Sequence, residues 1–122
     1  MRLQKVLTFI LLFSSLNSIA LGLSKDRISD LLNKGDSAYK FRKDLNQAEV
    51  ALFNYQEAVK QENSSVEALW RASMACHYLG MKSSDGDKKE NLFLNGIEYG
   101  EKSIALDSQC APCHFWTGIN KA

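Results

Sequence analysis

The sequence predicts an all-α protein built from antiparallel helical hairpins stacked side by side, and three observations carry that prediction. Apolar residues recur at steps of three and four through successive segments of the chain. A single proline in 122 residues favours long uninterrupted helices. The third observation is the stretch from Leu92 to Gly118, where Gly96, Gly100 and Ser103 fall at helical spacings and Phe115, Trp116 and Gly118 follow after a short turn. Small residues on one helix face let a neighbouring backbone approach closely, and the aromatic pair can fill the wedge between them.

The first twenty residues read as an export signal. Arg2 and Lys5 make a basic start, Val6 to Phe13 an apolar core, and Ser18-Ile19-Ala20 supplies the small residues that a signal peptidase reads. Cleavage is expected after Ala20, with Gly22 as the second choice. The apolar run is interrupted by Thr8, Ser14, Ser15 and Asn17, and it falls short of the roughly 20 apolar residues that a spanning helix needs. The mature chain is therefore expected to be secreted or periplasmic and not stably inserted in a membrane. Fifteen basic residues face fourteen acidic ones, and loss of Arg2 and Lys5 with the leader tips the balance to slightly acidic. That composition gives no electrostatic reason for nucleic-acid binding, which rests on clustered Lys and Arg neutralising several phosphates.

From Ser24 onward helices and turns alternate. Ile28, Leu31, Leu32, Gly35, Ala38 and Tyr39 share one face of a first helix, and Arg42-Lys43-Asp44 interrupts it. Asp44 with Gln47 resembles a capping box opening a second helix, whose stripe is Ala48, Ala51, Leu52, Tyr55, Ala58 and Val59. Gln61 to Ser65 is a polar turn, and Ser64 with Glu67 repeats the capping signature. Leu69, Ala72, Cys76 and Leu79 line a third helix, which Gly80 is expected to end in a left-handed conformation. Met81 to Lys89 reads as a solvated loop. Its Asp85-Gly86-Asp87 lacks the full ligand set of a calcium loop. Asp87 with Glu90 signals a fourth helix through Leu92, Gly96, Ile97, Gly100 and Ile104.

Two hairpins then lie in register. Ala51, Tyr55, Ala58 and Asn63 of the first recur as Gly96, Gly100, Ser103 and Ser108 of the second, and Gly35 with Ala38, Ser73 with Cys76, and Gly118 occupy matching first-helix positions. This pattern resembles the tetratricopeptide repeat, and implies a right-handed solenoid or bundle of about two and a half repeats over residues 24–122. Leu31 and Leu69 stand where the repeat usually has tryptophan, Asn63 and Ser108 where it has proline, and the loops read as longer than the compact repeat allows. Glu67-Ala68-Leu69-Trp70-Arg71-Ala72, the segment Asn95 to Asp107, and His114-Phe115-Trp116-Thr117-Gly118 together are similar to the periplasmic T component of tripartite ATP-independent periplasmic transporters. That resemblance implies an accessory, non-catalytic role beside a periplasmic solute-binding protein. Members of that group are often lipoproteins, and no cysteine here lies near the cleavage point. The third hairpin opens without its second helix, so the chain is expected to be a fragment truncated at its C-terminus, or a subunit completed by a partner.

Cys110-Ala111-Pro112-Cys113-His114 is the one motif that could carry chemistry. Its spacing is that of a c-type haem attachment site, with Cys110 and Cys113 as thioethers and His114 as axial ligand. A distal ligand would come from Met74, His77 or Met81. The same two cysteines are candidates for a disulfide in an oxidising compartment. A zinc site from Cys76, His77, Cys110, Cys113 and His114 would need distant helices to converge, and Cys76 reads most simply as a packed core thiol. Asn63-Ser64-Ser65 is a formal glycosylation sequon. Trp70, Tyr78 and Tyr99 either line a groove or pack in the core. No nucleophile motif and no glycine-rich phosphate loop occurs. The expected function is thus an exported helical scaffold, without cofactor or metal, that binds a protein partner or an apolar small molecule. The alternative is a c-type haem protein in electron transfer.

Overall fold

The computed structural model describes Gly22 and residues 25–122; the expected leader and its cleavage site lie outside these residues. The described chain is all-helical. Helix α1 covers residues 25–40, α2 Leu45–Gln61, α3 Val66–Lys82, α4 Gly86–Leu106 and α5 Ala111–Lys121. Consecutive helices fold back on one another, and α3 is the hub, packing against α2, α4 and α5. No described helix is long and apolar enough to cross a membrane.

The core is made of small residues around a few large ones. Ala38, Ala51, Tyr55, Ala72 and Ala75 form one cluster, and Ile28, Leu31, Ala58 and Ala68 another. Alanines at the contact faces bring the axes close enough for one aromatic ring to bridge three helices. Tyr55 is fully buried, and a Cβ on Gly35 would collide with the edge of its ring. Its hydroxyl donates to Asp36 Oδ1 at 2.7 Å, while Arg71 Nη1 meets Asp36 Oδ2 at 3.1 Å and Arg71 Nη2 meets Glu67 Oε2 at 2.9 Å. This network ties α1, α2 and α3 together at the edge of the core.

The second half of the molecule closes through polar contacts. Ser73 Oγ donates to the Gly96 carbonyl at 2.7 Å, and Asn120 Nδ2 donates to the Ser73 carbonyl at 3.2 Å and to the Trp116 carbonyl at 2.8 Å. Gly96 and Gly100 leave room for Asn120 and Thr117 of α5 against the α4 backbone. Small residues at these two positions therefore serve a close helix approach, as their spacing predicts.

Several boundaries differ from the sequence expectation. The cap of α3 is Ser65, whose side chain accepts from the Ala68 amide, and not Ser64. Asp44 does cap α2, but its carboxylate takes the Asn46 amide in place of a reciprocal bond with Gln47. Asp85, not Asp87, caps α4 and accepts from the amides of Asp87 and Lys88. That capping duty explains the Asp85-Gly86-Asp87 triplet. Gly80 does not end α3: the helix runs on to Lys82, and no described glycine has a positive φ. Gly80 is small because Phe93 packs over it, with a ring carbon 2.7 Å from where a Cβ would stand. The stretch from Met81 to Lys89 is consequently mostly helical, leaving only residues 83–85 as a loop. Every connection between the described helices is short, as compact hairpins require. Gly118, read as a packed repeat position, is exposed, and its neighbour Thr117 is the buried residue.

Candidate functional site

The cysteine motif lies at the entry to α5. Cys110 is the N-cap, its sulfur accepting from the Cys113 amide at 3.3 Å, and Pro112 sits in the first turn, where its missing N–H costs nothing. Cys110 and Cys113 are bonded to each other through their sulfurs. Cys113 is fully buried, whereas His114 is exposed, with Nε2 2.8 Å from the Ser108 carbonyl oxygen. A thioether-bound haem needs both sulfurs open on the side that the histidine faces. One sulfur faces the core and the imidazole faces solvent, so the three residues do not fit that group.

The other candidate ligands are scattered. Met74 is partly buried, Met81 is exposed, and Cys76 is a buried free thiol pushed up to about 12 by its burial. Among the described residues no group of histidine, cysteine and carboxylate side chains is arranged to hold a metal ion. His77 lies between the rings of Phe93 and Trp116, with centroid distances of 5.7 and 5.9 Å. Burial holds its imidazole below the usual histidine range, with the Asn120 side chain opposing that shift. A neutral imidazole wedged between two rings is a packing element.

The feature with the clearest capacity to engage a ligand lies at the other end of the hairpins, where α1 and α3 both finish. Lys40, Arg42, Lys43, Leu45, Tyr78 and Lys82 line a groove of about 700 Å³. The chain turns here because Asp44 starts a new helix, and the turn bonds from Phe41, Arg42 and Asp44 back to Ala38, Tyr39 and Phe41 fix the backbone that carries the basic residues. Arg42 is further fixed: Nη1 donates to the Tyr39 carbonyl at 3.1 Å, and its guanidinium lies 4.5 Å from the Tyr39 ring centroid and 5.4 Å from that of Tyr78. The two rings meet edge to face at 6.1 Å. Lys82 Nζ stands 5.7 Å from the Tyr78 ring. Burial raises the Tyr39 phenol above its ordinary value, with Arg42 acting against the shift, and the face of an aromatic ring attracts a cation placed over it.

None of Lys40, Arg42, Lys43 and Lys82 makes an ion pair with a described residue. Most of the other described cations face a carboxylate. Next to the groove, and sharing Leu45 and Lys82 with it, is an apolar cleft of about 310 Å³ floored by Leu52, Phe53, Leu79 and Leu92. Lys88 and Glu49 bridge its rim at 3.7 Å. Sequence reasoning gave Tyr78 as a groove or core residue and missed the cations. Arg42-Lys43 registers in the sequence only as a break in an apolar stripe, and the remoteness of Lys82 in the chain hides its place beside them. Trp70 and Tyr99 are half-buried elsewhere, Trp70 under Arg71 and Tyr99 accepting from Gln56 Nε2 at 3.3 Å.

Comparison with known proteins gives one family match, over residues 31–120, to the family described as regulator of microtubule dynamics protein 1-3. No curated protein and no solved structure matches the chain. The match takes in most of α1, the whole of α2, α3 and α4, and nearly all of α5. With that share of its length matched, the chain belongs to the family of regulator of microtubule dynamics protein 1-3.

Proposed function

We propose that this chain is a non-enzymatic helical-repeat scaffold whose ligand is a protein. The observation that carries this reading is the groove at the ends of α1 and α3, where four cations have no carboxylate partner among the described residues and two of them, Arg42 and Lys82, stand by the Tyr39 and Tyr78 rings. Such groups recognise a charged and partly apolar surface well. The family description directs the first test to microtubules. The purified full chain is expected to co-sediment with polymerised tubulin and to be released by rising salt. Retention in the supernatant at all tubulin concentrations would remove the microtubule partner.

A second reading draws on the first twenty residues together with the cysteine pair and the transporter resemblance. The basic start, apolar core and small residues ending at Ala20, the resemblance to the transporter T component, and the Cys110–Cys113 pairing all favour an oxidising compartment and a periplasmic partner. Edman sequencing of the protein purified from its own host distinguishes the two. A mature terminus at Leu21 supports export, and an intact Met1 or a terminus created by methionine removal alone opposes it.

A further inference from the structure

We infer that the groove and the cleft beside it form one site for an acidic peptide segment carrying a single bulky apolar side chain. The inference rests on the reading that the ligand is a protein and adds its chemistry. Three features of the surface converge on it.

The first is excess positive charge. Lys40, Arg42, Lys43 and Lys82 surround one groove, and none of them is ion-paired with a described residue. Asp44 lies on the far side of Lys40 and Lys43, where it caps α2 through the Asn46 amide and offsets only part of that charge. Four cations around one groove with no ion-paired carboxylate among the described residues repel one another in the free protein, and a ligand that brings carboxylates relieves that repulsion. The second feature is preorganisation. Arg42 is already held by the Tyr39 carbonyl and two rings, so binding a carboxylate immobilises little that was free. The third is continuity with an apolar cleft. Leu45 and Lys82 line both depressions, so a segment laid along the cations reaches Leu52, Leu79 and Leu92 without leaving the surface. At about 310 Å³ the cleft has room for a leucine or phenylalanine side chain. Phe53 is 59 % exposed at its edge, where an apolar side chain of the ligand can cover it.

An extended anionic surface is a poorer fit. The whole chain carries a formal charge of only +1, and most described cations outside the groove are ion-paired, so an anionic bilayer gains little from the surface around the patch. A short segment engages only the patch.

The test is fluorescence anisotropy of the full chain with a labelled oligoglutamate peptide containing one phenylalanine. Binding is expected, and it weakens as salt rises. Exchanging the peptide's phenylalanine for glycine weakens it roughly tenfold. The double variant Lys43→Glu with Lys82→Glu weakens it by tenfold or more, whereas Lys43→Arg with Lys82→Arg retains it. Both lysines are exposed, and circular dichroism confirms that each variant keeps its helices. The inference is overturned if the charge reversal leaves affinity unchanged, if the peptide's phenylalanine is irrelevant, or if phosphatidylserine vesicles are bound while the peptide is not. Should the peptide fail while the chain still co-sediments with microtubules, the acidic-segment chemistry falls and the scaffold reading stands. Failure of both removes the two together.

Discussion

At the scale of single residues, Tyr55 shows how much one side chain can connect. Its ring fills the space that Gly35 leaves, and its hydroxyl is the only polar atom of a fully buried side chain. Asp36 takes that proton donor, and the phenol's ionisation is pushed upward first by burial and then by the Asp36 hydrogen bond. Tyr55→Phe keeps the ring and deletes the bond, so it is expected to lower stability by about 1 kcal/mol in urea unfolding. A change close to zero would mean that the Asp36–Arg71 pair holds its place without the phenol. The ring's place on a buried face was legible in the sequence, because Tyr55 falls in one stripe with Ala51 and Ala58. Its partners were not, since Asp36 lies 19 residues from Tyr55 and 35 from Arg71, and no local periodicity reports a pairing at that range. The groove cations were missed for the same reason. An exposed lysine imposes no pattern on its own helix, and its meaning lies in which distant lysines stand beside it.

At the scale of elements, the helices were legible in number and order because each buries a stripe with a period near 3.6. Their ends were less so. Ser64 and Ser65 are adjacent and chemically equivalent, and only the backbone decides which has the extended conformation that lets its hydroxyl reach the third amide of the helix. In the structure that residue is Ser65, with φ −75° and ψ 104°. Ser65→Ala is therefore expected to destabilise the protein by about 1 kcal/mol, and Ser64→Ala by a few tenths at most. Thermal unfolding of the two variants side by side checks it, and equal effects would reassign the cap. Gly80 teaches a related lesson. A glycine near the end of an apolar stripe reads as a left-handed stop, yet here it makes space for Phe93 across the α3–α4 interface. Sequence shows that a side chain is missing, and packing shows why.

At the scale of the whole molecule, α3 is the element through which both halves are joined, so a perturbation on its buried face is felt globally. His77 offers a way to measure this. Its ring sits between Phe93 of α4 and Trp116 of α5, and burial lowers its affinity for a proton below the usual 6.5 while Asn120 partly restores it. Because the folded value is the lower one, unfolded chains take up the proton first as pH falls. The contribution of His77 is thus complete above about 6.5 and is lost progressively as the pH drops from there toward the folded value. The urea midpoint is expected to fall between pH values of about 7.5 and 5.5, a window that lies above ordinary carboxylate titration. In His77→Phe the slope over that window should flatten, whatever the absolute stability of the variant. An unchanged slope would show that the proton uptake occurs elsewhere, and that α3 joins α4 and α5 without any ionisable group at their junction.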